Sequence, residues 1–255
     1  MPHDTHMVPL TAVIIAKNEA DRITACLQSL SGWVQDIVVV LNDCTDRTRA
    51  IAESFHARIV EHAWEGYAQQ RNIGTQYANT QWIFRIDADE VVSPELRTAI
   101  EAFFANSNHT RYSACYCYRI NRFLGQWLKM NDHQLILFDK NHAHWEGVVH
   151  ERLCFSGPAQ TLFGPLFHYT ERDVAHTLQK NIHYAQLKAT ELAQRYSQKR
   201  LAFNLLTYPW HAFIKSYFQQ RCYRNGIAGF YVASLSAIYV FFKYLFAIEL
   251  KHNHD

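Results

Sequence analysis

Over the first hundred residues, four short β-branched apolar runs alternate with four segments of helical spacing. This alternation constrains the fold more than any other feature of the chain. The runs are "LTAVIIA" (10–16), "DIVVVL" (36–41), "ARIVE" (57–61) and "QWIFRI" (81–86). Their length and β-branched content mark buried strands. The first helical segment, "DRITACLQSL", has Ile23, Leu27 and Leu30 on one face and Gly32 as its stop. "CTDRTRAIAESF" and "GYAQQRNIGTQYA" follow as helices. In "SPELRTAIEAFF", Ser93 suits the N-cap and Pro94 the first helical position. A βα repeat of this kind predicts an α/β fold with a mostly parallel sheet and helices on both faces. In such sheets ligands bind beyond the carboxyl ends of the strands. Those ends read "AKNE" (16–19), "LNDCTD" (41–46) and "DADE" (87–90), three polar stretches expected to meet on one rim.

The pattern changes near residue 111. "RYSACYCYRI" and "HQLILFD" read as antiparallel strands, and "HWEGVVHERL" as a strand leaving a turn. After "LFHYT" a helix is expected over about 172–198, and residues 201–250 are strongly apolar and aromatic. This divides the chain into a domain over 1–170 and a helical, apolar extension over 171–255.

Hydrophobic residues make up 49% of the 255 and charged ones 19%, which provides a packed core and excludes general disorder. The six cysteines form no Cys-x-x-Cys pair, so they read as reduced thiols rather than a zinc site. "MPHDTHMVPL" lacks a basic start and an apolar stretch, which places the active part on the cytoplasmic side as an expectation. Charge is divided unevenly. Residues 1–170 carry 14 Lys/Arg and 18 Asp/Glu, a net −4, whereas 171–255 carry 11 and 5, a net +6. The basic third suits an anionic surface, and no motif for nucleic acid accompanies it.

The densest chemistry is in "FRIDADE" (84–90), where three carboxylates fall within four positions after an apolar run. Such a cluster needs a cation. In extended backbone Asp87 and Asp89 share a face, and their hard oxygens suit Mg²⁺ or Mn²⁺ together with substrate phosphates.

"AVIIAKNEAD", "GYAQQRN", "WIFRIDADE" and "VVHE", taken in order, resemble the family-two glycosyltransferases of GT-A fold. The likeness runs over about residues 10–200 and is nearest to the bacterial lipopolysaccharide-core glucosyltransferase subgroup. That subgroup has a similar Trp-x-Gly-aromatic stretch, here Trp64, Gly66 and Tyr67, leading to Gln70, Arg71 and Asn72. It continues with Asp87 to Glu90, His150 and Glu151, and a C-terminal His, here His168. The resemblance implies inverting transfer from a nucleotide-sugar, usually a UDP-sugar. Lys17, Asn18 and Glu19 would lie against the uridine, Asp87 on the ribose or metal, and Asp89 on the metal across the diphosphate. The cation would then neutralise the departing group. His168 is implied on the metal or diphosphate, Arg71 on phosphate, and His150 beside Glu151 or phosphate. Two positions depart from the family pattern. Leu41 stands where an Asp is usual, leaving Asn42 or Asp43 to contact the base, and Ile136 stands where an Arg is frequent. Inversion also needs a base for the acceptor hydroxyl; Glu151 is the first choice and Asp132 the second. His142 and His144 have strand spacing, are expected to lack acidic or thiol partners, and read as surface.

Two other functions compete. A sugar-phosphate nucleotidyltransferase also ends a strand in carboxylates, but it wants a glycine-rich loop after the first strand, and "AKNEAD" has no glycine. A non-catalytic, membrane-bound nucleotide-sugar-binding module would not need Asp87, Asp89 and Glu151 together. At the C-terminus, 18 uncharged residues lie between Arg224 and Lys243, the lower limit for a membrane span. Asn225, paired Gly, Ser and Tyr residues and the flanking bases favour peripheral attachment to the cytoplasmic leaflet. A single span and a core or dimer face stay open. A membrane-side acceptor such as a lipid-linked saccharide would account for the tail.

Overall fold

The computed structural model describes residues 7–128, 132–147, 151–170 and 173–252. The elements in chain order begin with β1 (Val8–Ala16), α1 (Ile23–Leu30), β2 (Val34–Leu41), α2 (Thr48–Ser54), β3 (Arg58–Glu61), α3 (Tyr67–Gln76) and β4 (Trp82–Arg85). Then come β5 (Glu90–Val92), α4 (Pro94–Ala105), β6 (Ala114–Phe123), β7 (Gln126–Leu128), β8 (His133–Asp139), β9 (Ala143–Glu146), β10 (Arg152–Phe155) and β11 (Ala159–His168). Three long helices close the chain: α5 (Val174–Arg195), α6 (Gln198–Ile214) and α7 (Gly226–His252). The chain divides into two compact units, Met1–Arg119 with Asp132–His168, and Ile120–Asn131 with Tyr169–Asp255.

The first unit is the expected α/β fold. Its sheet order is β3-β2-β1-β4-β8-β6-β11-β5. The four βα strands pair in parallel, and β8 joins β4 antiparallel, Trp82 opposite Asp139. Alternation along β1 sends Leu10, Ala12 and Ile14 into one core with Ile23, Leu27, Trp33, Phe84 and Ile100. Val13 faces the other way, with Val38, Val40, Ile83 and Phe138. Each fully buried Val, Leu or Ile contributes about 1.5–3 kcal/mol, enough together to offset charges confined at the rim.

Register sets that rim. Ala16 pairs with Leu41 and Leu41 with Glu61, so β1, β2 and β3 end level, and the Ile86 amide continues onto the Val13 carbonyl. Ser93 caps α4 as expected, accepting from the Leu96 amide at 3.1 Å. "HWEGVVHERL", expected as one strand, is two: β9 ends at Glu146 and β10 starts at Arg152, Arg152 opposite Glu146 and Cys154 opposite His144. β11 runs antiparallel to β5 and sets His168 opposite Glu90, at the end of the acidic stretch.

The second unit holds the hairpin of β7 with the end of β6, Asn121 opposite Leu128, and the three long helices. Asp173 and Ser197 cap α5 and α6, and Ala189, Leu192, Leu201, Tyr244 and Ala247 form a core. Lys251 donates to the Ala193 and Tyr196 carbonyls at 3.0 and 2.8 Å, a cation on the C-terminal end of α5 where the helix dipole favours it. Among the described residues one helical stretch, Cys222–His252, is by length and composition able to cross a membrane.

Gly164 lets β11 pass the start of α4. Its φ is +103°, and a Cβ there would lie 2.7 Å from the Glu95 carbonyl carbon and closer still to the Leu96 amide nitrogen. Gly164→Ala is therefore expected to destabilise by about 3 kcal/mol or more, read as a lower urea midpoint. Unchanged stability would show that β11 does not depend on this approach.

Candidate active site

The rim begins where β1 ends. Lys17 donates to the Asn42 side-chain oxygen at 3.2 Å, and the Asn42 amide reaches Asp43 at 3.4 Å. Asn18 takes a left-handed backbone, φ +56°, and its side-chain oxygen accepts from the Thr45 amide at 2.8 Å. The Glu19 amide donates to Thr48 Oγ1 at 2.8 Å. These bonds tie the loop after β1 to the loop after β2. Lys17, Glu19, Asn42 and Asp43, with Trp64, Tyr67 and Gln70, line a cavity of about 440 Å³. Asn18 is not among the residues lining it, since its side chain caps the neighbouring loop. Leu41 is fully buried in the core, which leaves its polar neighbours to face the cavity. A larger cavity of about 660 Å³ opens at the opposite ends of these strands, beside Pro9, Gln35, Trp82 and Asp139, and holds none of the expected site residues.

The acidic stretch is not an extended continuation of β4. The Glu90 amide donates to the Asp87 carbonyl at 2.9 Å, which makes residues 87–90 a turn, and the two aspartates part instead of sharing a face. Asp87 turns to two guanidiniums: Arg71 donates to Oδ1 at 2.9 Å and Arg85 to Oδ2 at 2.5 Å. Both arginines are buried, at 4% and 8% exposure. Arg71 also lies over the Trp145 ring, 5.0 Å from its centroid. Burial opposes the charge on Asp87, but Arg71 and Arg85 outweigh it and hold the carboxyl well below the usual carboxylate range. Glu90, fully buried, sits 3.6 Å from Arg85 and 3.2 Å from Arg119, and accepts from the Asp87 amide at 2.9 Å. Arg119 in turn donates to Asp132 at 2.8 Å, whose other oxygen accepts from Gln134 at 2.6 Å.

Asp89 faces elsewhere. Its Oδ2 lies 3.2 Å from Arg22 and 3.4 Å from His168 Nε2. Arg22 also pairs with Glu19 at 2.7 Å. Glu151 stands 3.8 Å from Arg71. α3 holds β9, the strand before Glu151, because Asn72 exchanges two hydrogen bonds with the Trp145 backbone at 2.9 and 3.0 Å. His150 lies outside the described residues. Among the described residues, these pairs join six carboxylates (Glu19, Asp87, Asp89, Glu90, Asp132 and Glu151) to four guanidiniums (Arg22, Arg71, Arg85 and Arg119), a net −2 counting His168 as uncharged. That balance suits one divalent cation. The Asp89 carboxylate supplies the hard oxygen that Mg²⁺ and Mn²⁺ prefer, and the His168 imidazole is a nitrogen donor better suited to Mn²⁺ than to Mg²⁺. Asp87, both oxygens accepting from guanidiniums, fits a metal less well.

The structure brings together Asp87, Asp89, His168, Arg71 and Glu151, and, around the cavity, Lys17, Asn42 and Asp43, with Glu19 joining the two groups through Arg22. Sequence reasoning gave no role to Arg22, Arg85, Glu90 and Arg119. Arg85 and Glu90 stand inside "FRIDADE" and were legible there as counter-charges. Arg119 arrives on β6 and leaves no spacing signal. Ile136 is fully buried and belongs to the core. His142 and His144 are exposed as expected, but each has an acidic partner, Asp139 at 2.9 Å and Glu146 at 2.7 Å.

With this geometry in hand, the model of "Glycosyl transferase family 2" matches residues 11–160. An uncharacterized glycosyltransferase of Rickettsia felis is 29% identical over 267 residues, covering 97% of this chain and 91% of its own. The lipopolysaccharide core biosynthesis glycosyltransferase LpsC of Rhizobium meliloti is 29% identical over 265 residues, covering 97% and 93%. Among solved structures, S. aureus TarS 1–349 in complex with UDP-GlcNAc aligns over 71% of this chain and 66% of its own, at 12% identity and a TM-score of 0.49.

Neutralising Asp87 would remove the carboxylate that both buried guanidiniums share, leaving Arg85 only Glu90 at 3.6 Å and Arg71 only Glu151 at 3.8 Å among the described ion pairs. Asp87→Asn is expected to cost about 3–5 kcal/mol of folding stability, whereas Asp89→Asn should stay within about 1 kcal/mol. Urea unfolding of the two variants checks this; equal losses would contradict the division of labour between them.

Proposed function

The chain belongs to glycosyl transferase family 2, and from that premise we propose that its rim carries out inverting, metal-assisted transfer of a hexose from a UDP-sugar to a saccharide acceptor at the membrane surface. The observation that carries this reading is the net −2 rim, with Asp89 and His168 at 3.4 Å, at the strand ends that also border the 440 Å³ cavity.

The nucleoside occupies that cavity. Trp64 and Tyr67 give it aromatic walls, and Lys17, Asn42 and Asp43 offer polar contacts to the base in place of the acid that Leu41 replaces. Asp89 and His168 would hold the divalent cation, which would supply positive charge against the negative charge growing on the departing diphosphate. Asp87 touches the ribose edge while clamped by Arg71 and Arg85, and Arg71, anchored on Trp145, adds positive charge for phosphate. Glu151 accepts the proton of the acceptor hydroxyl as that oxygen bonds the anomeric carbon. The sugar–diphosphate bond breaks with its electron pair on the diphosphate. Asp132 is the second choice, because Arg119 and Gln134 already donate to both of its oxygens. It positions Arg119 instead.

A lipopolysaccharide-core saccharide is the acceptor class we favour, supported by the name of the Rhizobium meliloti relative and its coverage of nearly the whole chain. The second unit supports a membrane-side location. α6 turns Phe203, Leu206, Trp210 and Ile214 outward at helical spacing, with Trp210 at 71% exposure, and α7 does the same with Ile227, Phe230 and Phe241. Pro209, Phe213, Ile238 and Phe241 border an apolar groove between these two helices. With the +6 over 171–255, this outer face fits an anionic leaflet, apolar side chains entering the interface and bases meeting headgroups.

Release of UDP from UDP-hexoses with Mn²⁺ or Mg²⁺, with core saccharide added, tests the chemistry. Asp89→Asn should abolish the metal-dependent part while the protein stays folded, and near-normal turnover would remove Asp89 from the metal. Glu151→Gln should lower turnover by about 10²–10⁴ with donor binding little changed. If Asp132→Asn shows that signature instead, the base is Asp132.

Binding to anionic vesicles tests the location. Attachment of the full chain should weaken with salt, since bases near the leaflet contribute about 1 kcal/mol each and are screened. It should not vanish, because apolar burial is insensitive to salt. Alkaline wash should release the protein, whereas resistance to both would mark a spanning helix. No affinity at low salt would assign the apolar face to a protein contact.

A further inference from the structure

The β9–β10 hairpin carries a second cluster of metal-ligating side chains, independent of the rim. Strand alternation puts its two faces to different use. Ala143, Trp145, Leu153 and Phe155 pack on the core. His144, Glu146, Arg152 and Cys154 share the other face, through the cross-strand pairs Cys154–His144 and Arg152–Glu146. Cys154 is one of two cysteines that are not buried among the six. His144 Nε2 lies 2.7 Å from Glu146 Oε1, and the Cys154 thiol donates to Glu146 Oε2 at 3.2 Å. One ligand atom from each residue lies within 4.8 Å of the others.

From these three side chains we propose a binding site for a borderline-soft divalent cation of the Zn²⁺ class. Bond lengths of about 2.0–2.3 Å to O, N and S set tetrahedral ligand-to-ligand distances of about 3.3–3.7 Å. The hydrogen bonds of 2.7 and 3.2 Å lie just below that range, so small side-chain rotations that open them admit the ion. The Cys154 thiolate is the soft ligand that selects zinc-like ions here, and the Asp89–His168 pair has none. Three protein ligands leave the fourth position for water. Glu146 now accepts from both His144 and Cys154, which holds its carboxyl below the usual range and pushes the Cys154 thiol up. The ion takes the place of that thiol proton, which is released on binding. Arg152, 3.6 Å from Glu146, competes for the same carboxylate.

The ion would cross-link the two strands whose connection ends at Glu151, one residue before β10. It is a clamp on the hairpin that supports the proposed base, and the site stands whether or not Glu151 has that role.

Co²⁺ titration of the full-length, chelator-treated protein reads the site directly through the sulfur-to-cobalt charge-transfer absorption of a Cys-ligated ion. The wild type should show that band at one Co²⁺ per chain, and Zn²⁺ should displace it. Cys154→Ser should lose it. His144→Ala and Glu146→Gln should each weaken Co²⁺ binding by about tenfold or more, since even outer-shell changes cost about 10–100-fold in metal affinity. Arg152→Ala should tighten it. Asp89→Asn and Cys44→Ser should retain the band, separating this site from the rim and from the other accessible thiol. Absence of the band in the wild type, its persistence in Cys154→Ser, or unchanged affinity in both His144→Ala and Glu146→Gln would overturn the proposal.

Discussion

The clamp of Asp87 between Arg71 and Arg85 is the interaction on which the site depends. Charged groups this deep cost several kcal/mol each to desolvate, and they persist here because each has a partner at hydrogen-bond distance. The clamp couples elements far apart in sequence. Arg71 comes from α3, Arg85 ends β4, and Glu90 opens β5 and passes the charge balance to Arg119 on β6. Shifting any of these strands by one residue would strand a buried charge, so register and electrostatics specify each other. The same network explains why the acidic stretch turns. The Glu90 carboxylate accepts from the Asp87 amide, and the Glu90 amide closes onto the Asp87 carbonyl.

That arrangement divides the carboxylates by task. Glu90 is wholly given to the protein's own counter-ions, and Asp87 is held by two of them. Asp89, turned away toward His168 and Arg22, stays at the rim with charge to offer a ligand. Among the described ion-paired residues of the rim, carboxylates outnumber guanidiniums by two.

Much of this was legible in the sequence. β-branched runs located the parallel strands, Ser93 and Pro94 located the start of α4, and the polar strand ends located the rim. What escaped was set by long-range pairing. The spacing of Asp87 and Asp89 implied a shared face only if the backbone stayed extended, and the turn at 87–90 removed that premise. Arg119 reaches Glu90 through antiparallel strands, which leave no fixed sequence offset. His168 reaches Asp89 because β11 pairs with β5, a contact that "PLF" before it could not announce. His144 read as an unpartnered surface residue because its thiol neighbour, ten positions on, comes opposite only when the hairpin closes. Leu41 and Ile136, departures from the family pattern, read simply as core once their burial is known.

Calorimetric titration of UDP into the wild type and into His168→Ala, each with and without Mn²⁺, tests the central claim most directly. The account predicts that Mn²⁺ strengthens UDP binding to the wild type by about tenfold or more, on the order of 1.4 kcal/mol. The increment should disappear in His168→Ala while metal-free UDP affinity is kept. A full Mn²⁺ increment in His168→Ala, or none in the wild type, would contradict it.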